Sequence, residues 1–92
     1  MIKVSYPAIF REDKEDIGWI NVSFPDIWGG VTCGKGMDNA IYMAKDLLKL
    51  MLEDAPAQCE APHSLKETRK NFPKENVQMV TVEVDETKYN SK

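Results

Sequence analysis

The sequence predicts an α+β domain: a three-stranded antiparallel meander, then a long amphipathic helix, a short helix and a fourth strand. Three observations support this fold class. Apolar and polar residues alternate near both ends of the chain, the centre has the three-and-four spacing of a helix, and prolines and glycines separate these segments. The 92 residues suffice for one domain, with a core over about residues 1–86 and a frayed tail over 87–92.

Two alternating segments near the N-terminus predict a β-hairpin. They span residues 2–10 and 17–24, and six consecutive charged residues, 11–16, connect them. Pro7 has no amide proton for a ladder, so the strand either bends there or turns that position outward. The side chains expected to face inward are Ile2, Val4, Tyr6, Ala8, Phe10, Ile20, Val22 and Phe24.

The middle of the chain predicts a third strand and a long helix. A turn rich in glycine and proline leads into a short strand at residues 31–34. From Met37 onward the apolar residues recur every three or four positions, which indicates a helix. Gly36 stands where this helix begins, and Pro56 ends it at about Glu53 or Asp54. The apolar stripe comprises Met37, Ala40, Ile41, Ala44, Leu47, Leu48 and Met51.

The remaining residues predict a short helix and a last strand. Ser64 and Glu67 have the spacing of a capping box, so a second helix begins there and continues to about Lys70. Valines alternate with polar residues over residues 80–84, as in a strand buried on one face. Because a long helical connection returns the chain to the sheet, we expect this strand beside the first strand and parallel to it.

Composition and charge exclude several classes of function. The 12 basic and 15 acidic residues give a net charge of -3, without the basic surplus of a general nucleic-acid binder, so we expect no DNA binding. No apolar run approaches the roughly 20 residues that span a bilayer, and the N-terminus lacks a signal-peptide pattern. We therefore expect a cytoplasmic protein with no membrane partner, in which Cys33 and Cys59 stay reduced.

The sequence predicts no catalytic, cofactor or metal site. Residues 2–10 contain no Asp or Glu that could hold the metal ions of a nuclease. His63 is the only histidine, and with Cys59 it provides two of the four ligands that zinc requires. The glycines at 29–36 match neither common phosphate-binding motif. We interpret His63 as a loop residue and the glycines as turn residues, and we expect a protein that is not an enzyme.

Several short motifs follow one another in a recognisable order. They are Tyr6-Pro7-Ala8-Ile9-Phe10, Gly18-Trp19, Phe24-Pro25-Asp26-Ile27, Gly29-Gly30-Val31-Thr32-Cys33-Gly34, a helix from Ala40, and Pro62-His63-Ser64. With the closing valine-rich strand, this series resembles the HicB-like antitoxin domain over about residues 4–85. No single motif is specific, and the resemblance rests on their order and spacing.

The resemblance implies a partial ribonuclease H-like fold. It also implies a non-catalytic protein that binds and neutralises a small, basic HicA-type ribonuclease toxin. HicB antitoxins often carry a further DNA-binding segment, and the resemblance implies a version without one because the family domain occupies nearly the whole chain. The acidic surplus of residues 1–60 is compatible with steering a basic partner.

Two sets of candidate contact residues follow. The partner-binding candidates are Trp19, Trp28, Asp26, Glu12, Asp13, Glu15 and Asp16. For each tryptophan, packing over an edge of its own sheet is an equally weighted alternative. The alternative function is an RNA-binding module of a phage or mobile-element orphan HicB-like protein. Its candidate contacts are Lys66, Arg69, Lys70 and Lys74, for which a solvated helix face is the simpler interpretation.

The long helix carries more apolar residues than one sheet face needs. Met43, Leu50 and Leu52 lie off its main stripe. Because exposed apolar surface favours association, we expect a homo-oligomer, either a dimer or a tetramer.

Overall fold

The computed structural model describes residues 1–85 and 87 and has the order β-β-β-α-α-β. The strands are β1 (Ile2–Glu12), β2 (Trp19–Ser23), β3 (Val31–Lys35) and β4 (Asn76–Val84), and the helices are α1 (Met37–Asp54) and α2 (Leu65–Asn71), with a 3-10 turn at Pro56–Gln58. This confirms the predicted α+β class. Apart from Thr87, the tail predicted for 87–92 lies outside the described residues.

The four strands form one sheet in the order β3-β2-β1-β4, and each neighbouring pair is antiparallel. The predicted antiparallel meander is therefore confirmed. The predicted parallel alignment of the last strand with the first is wrong. Ile2 lies opposite Val84, and Phe10 lies opposite Asn76.

The path between α1 and β4 explains this direction. The backbone nitrogen of Asp85 donates a hydrogen bond to Oε2 of Glu53 at 3.1 Å, so α1 ends beside the end of β4. A strand that followed α1 directly would start at that end of the sheet and run parallel to β1. Residues 55–75 instead carry the chain back along the sheet before β4 begins at Asn76. The direction of β4 is therefore reversed.

The sheet face under α1 forms the main core. Its buried residues are Tyr6, Ala8, Phe10, Ile20, Val22, Val80, Val82 and Val84, as the alternation predicts. From α1 the core receives Ala40, Ala44, Leu48 and Leu52, each 0% exposed. The expectation that Leu52 lies off the buried stripe is wrong, because every fourth residue of α1 lies along the line nearest the sheet. Met43 is half-buried, and Leu50 is exposed.

Two glycines allow α1 to start directly after β3 and to lie close to it. A Cβ at Gly34 would be 2.6 Å from the backbone nitrogen of Ala40, so only a hydrogen fits there. Gly36 precedes the first turn of α1 with φ 81°, a conformation that residues with a side chain rarely adopt. The predicted helix start at this glycine is confirmed.

The sheet face opposite α1, called the outer face below, is covered only near one end. Ile9 and Val77 are cross-strand partners on this face, and both are buried. Helix α2 contacts β4 and carries the buried Thr68. Elsewhere the outer face presents exposed side chains, among them Lys3, Trp19, Asn21, Val31, Cys33, Met79, Thr81 and Glu83. It is therefore the more accessible of the two faces.

The predicted N-terminal cap of α2 is confirmed. Oγ of Ser64 accepts a hydrogen bond from the backbone nitrogen of Glu67 at 3.1 Å. Because the first amides of a helix lack partners within the helix, this bond stabilises its first turn.

Candidate partner-binding surface

The loop between β1 and β2 concentrates negative charge at one end of the sheet. The backbone nitrogen of Asp13 donates to the Trp19 carbonyl at 2.8 Å, and that of Trp19 donates to the Asp16 carbonyl at 3.1 Å. These bonds close the loop. They bring together five of the predicted candidates: Glu12, Asp13, Glu15, Asp16 and Trp19. The four acids are called the acidic hairpin loop below.

Asp13 organises this loop. Its Oδ1 accepts hydrogen bonds from the backbone nitrogens of Glu15 at 2.8 Å and Asp16 at 3.2 Å, and its Oδ2 accepts one from Nδ2 of Asn21 at 3.3 Å. The bond from Glu15, followed by those from Asp16 and Asn21, holds the pKa of Asp13 below its ordinary value. Glu12, Glu15 and Asp16 are exposed at the surface.

Apolar surface lies next to these acids. Ile17 is 95% exposed at the end of the loop, and Trp19 is exposed on the outer face, as its alternation predicts. The exposure of Ile17 was not predicted from the sequence, although a large apolar residue directly before Gly18 in a turn is a signal of it. Apolar side chains with a charged rim are typical of protein interfaces.

Trp28 and Asp26 lie at the opposite end of β2 from Trp19. The backbone nitrogen of Trp28 donates to the Gln58 carbonyl at 2.8 Å, and that of Glu60 donates to the Asp26 carbonyl at 2.9 Å. Residues 24–30 and 55–63 thereby form a pair of tied loops, called the two-loop platform below. Trp28 is 82% exposed on it. The structure therefore separates the two tryptophans into different surface regions.

Asp26 does not lie on the surface, in contrast to its predicted role as a contact residue. It is 4% exposed, and its carboxylate holds the second loop of the platform. Oδ2 accepts a hydrogen bond from the backbone nitrogen of His63 at 2.9 Å, and Oδ1 lies 2.6 Å from Nδ1 of His63. Asp26 turns inward because both carboxylate oxygens find donors there.

His63 is the second member of this pair, and its ring is half exposed. The hydrogen bond to Asp26, and then the negative charge of Asp26, raises the pKa of His63 above its ordinary 6.5, while Glu67 and Glu60 add smaller contributions. His63 lies in a loop, as predicted from the sequence. Its contact with Asp26 was not predicted. The two residues are 37 positions apart, so no local pattern connects them.

The basic candidates lie on α2 and just after it. Nε and Nη2 of Arg69 donate to the Val77 carbonyl at 3.3 and 3.1 Å, which ties α2 to β4. The other three are exposed: Lys66, Lys70 and Lys74. Nearby, Glu75 pairs with Arg11 at 2.8 Å. All four basic candidates are therefore exposed, and Arg69 also holds α2 against β4.

Within residues 1–85 and 87, no group of three or more His, Cys, Asp or Glu is arranged to hold a metal ion. The same part of the chain contains no helix long and apolar enough to cross a membrane. The buried polar side chains Asp26 and Thr68 are hydrogen-bonded within the fold.

The family model for the HicB-like antitoxin of bacterial toxin-antitoxin systems matches residues 6–92. The chain belongs to the HicB-like antitoxin family. The family resemblance predicted from the ordered motifs is therefore confirmed.

One solved chain, from a toxin-antitoxin complex of Streptococcus pneumoniae, is similar to this HicB-like chain. The TM-score is 0.68 at 24% sequence identity, covering 96% of this chain and 73% of that one. At this identity the similarity shows a shared fold. No curated protein matches the chain.

Proposed function

We propose that this HicB-like protein is a non-catalytic cytoplasmic antitoxin that binds and neutralises a small ribonuclease toxin of the HicA type. The family match over residues 6–92 carries the proposal. The solved chain of similar fold comes from a toxin-antitoxin complex, which is compatible with it. A partial ribonuclease H-like architecture, implied by the resemblance, belongs to the same proposal.

The acidic hairpin loop is the main toxin contact in this proposal. Glu12, Glu15 and Asp16 supply exposed negative charge, and Ile17 and Trp19 supply apolar contact area beside it. Complementary charge accelerates the encounter, whereas buried apolar and aromatic groups contribute most of the affinity. Asp13 supports this surface from within the loop, and Trp28 on the two-loop platform is a second contact that Asp26 supports from below.

In this proposal the antitoxin inhibits the toxin without any catalytic activity of its own. A ribonuclease holds the phosphates of its substrate on a basic surface. An acidic loop that occupies this surface competes directly with RNA, and the surrounding apolar contacts slow its release. We therefore propose that the toxin is inhibited because its RNA-binding surface is covered.

Co-expression with a small, basic toxin of the HicA type tests the proposal. The wild-type antitoxin should restore growth and copurify with the toxin. The double substitution Glu15→Lys and Asp16→Lys should lower the association rate by about tenfold or more at low salt, because it removes the steering charge. The matched control, Asp38→Lys with Asp54→Lys, changes the net charge equally through exposed residues of α1 and should have little effect.

A wild-type chain that forms no complex at micromolar concentrations would overturn the proposal. Equal losses in the two double variants would show that the contact does not lie at the acidic hairpin loop.

The alternative function is RNA binding. Its contacts would be Lys66, Arg69, Lys70 and Lys74. A gel shift at low salt that weakens steeply with added salt would support it, since phosphate contacts release counterions. Substituting the three exposed lysines by Gln should then abolish the shift.

A further inference from the structure

On the basis of the proposed toxin binding, we propose that a groove on the two-loop platform binds a lysine or arginine side chain of the toxin, and that protonation of His63 weakens this contact. The groove has a volume of about 460 Å³ and lies between the two tied loops. Most of its lining is apolar, and one residue is charged. The lining residues are Pro25, Ile27, Trp28, Ala57, Gln58 and Glu60.

The groove offers a matching partner to each part of a long basic side chain. The apolar stem of lysine or arginine packs against apolar surface such as that of Pro25 and Ala57, both exposed here. The positive head can lie on the indole of Trp28, which is 82% exposed, and pair with the exposed carboxylate of Glu60. An aromatic face and a carboxylate beside one groove are therefore the features that select a cation.

The charges around His63 also favour a cation over an anion. Its Nδ1 lies 2.6 Å from Oδ1 of Asp26, and the more distant Glu67 and Glu60 act on the ring through their negative charge. These three carboxylates outnumber the single positive charge of a protonated His63. A basic toxin is therefore attracted to this region, whereas the phosphates of RNA are repelled.

The ring proton of His63 changes the charge of the platform without releasing its loops. The backbone nitrogen of Trp28 donates to the Gln58 carbonyl at 2.8 Å, and that of Glu60 donates to the Asp26 carbonyl at 2.9 Å. The backbone nitrogen of His63 donates to Oδ2 of Asp26 at 2.9 Å. None of these bonds requires the ring proton. Because the ring is half exposed, its charge acts on whatever occupies the surface beside it.

The direction of the pH effect follows from linkage. A cation bound in the groove repels the protonated ring and lowers the pKa of His63, which Asp26 raises in the free chain. The complex then binds the proton less tightly than the free chain does. Toxin affinity should therefore increase as the pH rises from the pKa of His63 in the complex to its raised pKa in the free chain.

The dissociation constant of a purified HicA-type toxin, measured by isothermal titration calorimetry at constant ionic strength, tests the role of His63. Between about pH 5.5 and about pH 8, the wild-type Kd should fall by about three- to tenfold. His63→Gln removes the titrating proton and should abolish this part of the profile. Titratable groups of the toxin affect both chains equally, so the difference between the two profiles isolates His63.

Substitutions in the groove, measured at about pH 8 where His63 is largely neutral, test the bound cation. Trp28→Ala should raise Kd by about tenfold, and Glu60→Gln should raise it by about threefold. The double variant should lose less than the product of the two factors, because both residues contact one side chain. Asp46→Asn, at an exposed acid of α1, is the matched control for Glu60→Gln and should leave Kd unchanged.

The outcomes separate a failed groove contact from a failed proposed function. A wild-type chain that binds no toxin at any pH would overturn both. Toxin binding that needs Glu15 and Asp16 but is unaffected by Trp28→Ala and Glu60→Gln would overturn the groove contact alone. An affinity that increases on acidification, or the same pH profile in His63→Gln, would overturn the role of His63.

Discussion

The sheet face under α1 and the outer face differ in how completely they are covered. Under α1, aromatic, leucine and valine side chains form one continuous buried cluster with the helix. On the outer face, burial is confined to the region near Ile9 and Val77, and residues such as Trp19 and Thr81 remain exposed. One helix therefore supplies most of the apolar burial. We expect substitutions beneath it to reduce stability and substitutions on the outer face to change binding.

Truncation of Leu48 should have the largest effect. Leu48 is fully buried between α1 and the sheet, so Leu48→Ala removes apolar contact and leaves a cavity. We expect the free energy of unfolding to fall by about 2–5 kcal/mol, measured by urea denaturation. Leu50→Ala, at an exposed position of the same helix, should cost about 0.5 kcal/mol or less. Similar losses in both variants would contradict the assigned buried face of α1.

Gly34→Ala should have the next largest effect. Its Cβ would lie 2.6 Å from the backbone nitrogen of Ala40, so α1 must move away from β3. Overpacking of this kind typically costs about 1–3 kcal/mol in the free energy of unfolding. Cys33→Ala, at the neighbouring exposed position, is the control and should be nearly neutral. A stable Gly34→Ala variant would show that α1 approaches β3 less closely.

Tyr6→Phe should have a smaller effect. The Tyr6 hydroxyl donates a hydrogen bond to the Glu60 carbonyl at 2.6 Å and connects the core face to the two-loop platform. Its removal should lower the free energy of unfolding by about 1 kcal/mol. Tyr42→Phe, at an exposed tyrosine of α1, serves as the control in the same denaturation experiment. A loss of equal size in Tyr42→Phe would contradict a specific role for the Tyr6 hydroxyl.

The Asp26–His63 pair should make stability depend on pH. The pKa of His63 is raised in the folded chain, so the folded state binds a proton more tightly than the unfolded state. This contribution is complete below the ordinary pKa of 6.5 and is lost as the pH rises through the folded value. The urea midpoint should therefore decrease in this range, and His63→Gln should remove the decrease. An unchanged pH profile in His63→Gln would assign the dependence to another group.

Ser5→Ala should have the smallest effect. Oγ of Ser5 and Oγ1 of Thr81 lie 2.6 Å apart on the outer face, where water can replace the lost hydrogen bond. The free energy of unfolding should change by about 0.5 kcal/mol or less. A much larger loss would show that the outer face is covered in solution and would weaken the contrast between the two faces.

Local patterns predicted most of the elements correctly. The capping box located Ser64 at the start of α2. The three-and-four spacing located the start of α1 at Met37, and Pro56 placed its end at about Glu53 or Asp54, close to the observed Asp54. The last strand, however, was predicted to occupy only residues 80–84, whereas β4 begins at Asn76. Val77 is buried on the outer face near α2, so its burial interrupts the alternation that marks the rest of the strand.

The candidate site was predicted less completely. The acidic residues and Trp19 come together because a short loop joins them in sequence. Asp26 and His63 meet only because the two-loop platform brings distant segments into contact. The sequence suggested that the carboxylate of Asp26 could contact a partner, but in the structure it binds His63 and stabilises the platform.

The sequence by itself determined which residues of each strand face the core, where both helices begin and where the acidic residues cluster. Side-chain direction and helix capping depend on the local backbone geometry of a few neighbouring residues. Only the tertiary structure decided the antiparallel direction of β4, the burial of Asp26 and the groove between the two tied loops. These features depend on the path of residues 55–75, which have no single period and are positioned by contacts with distant parts of the chain.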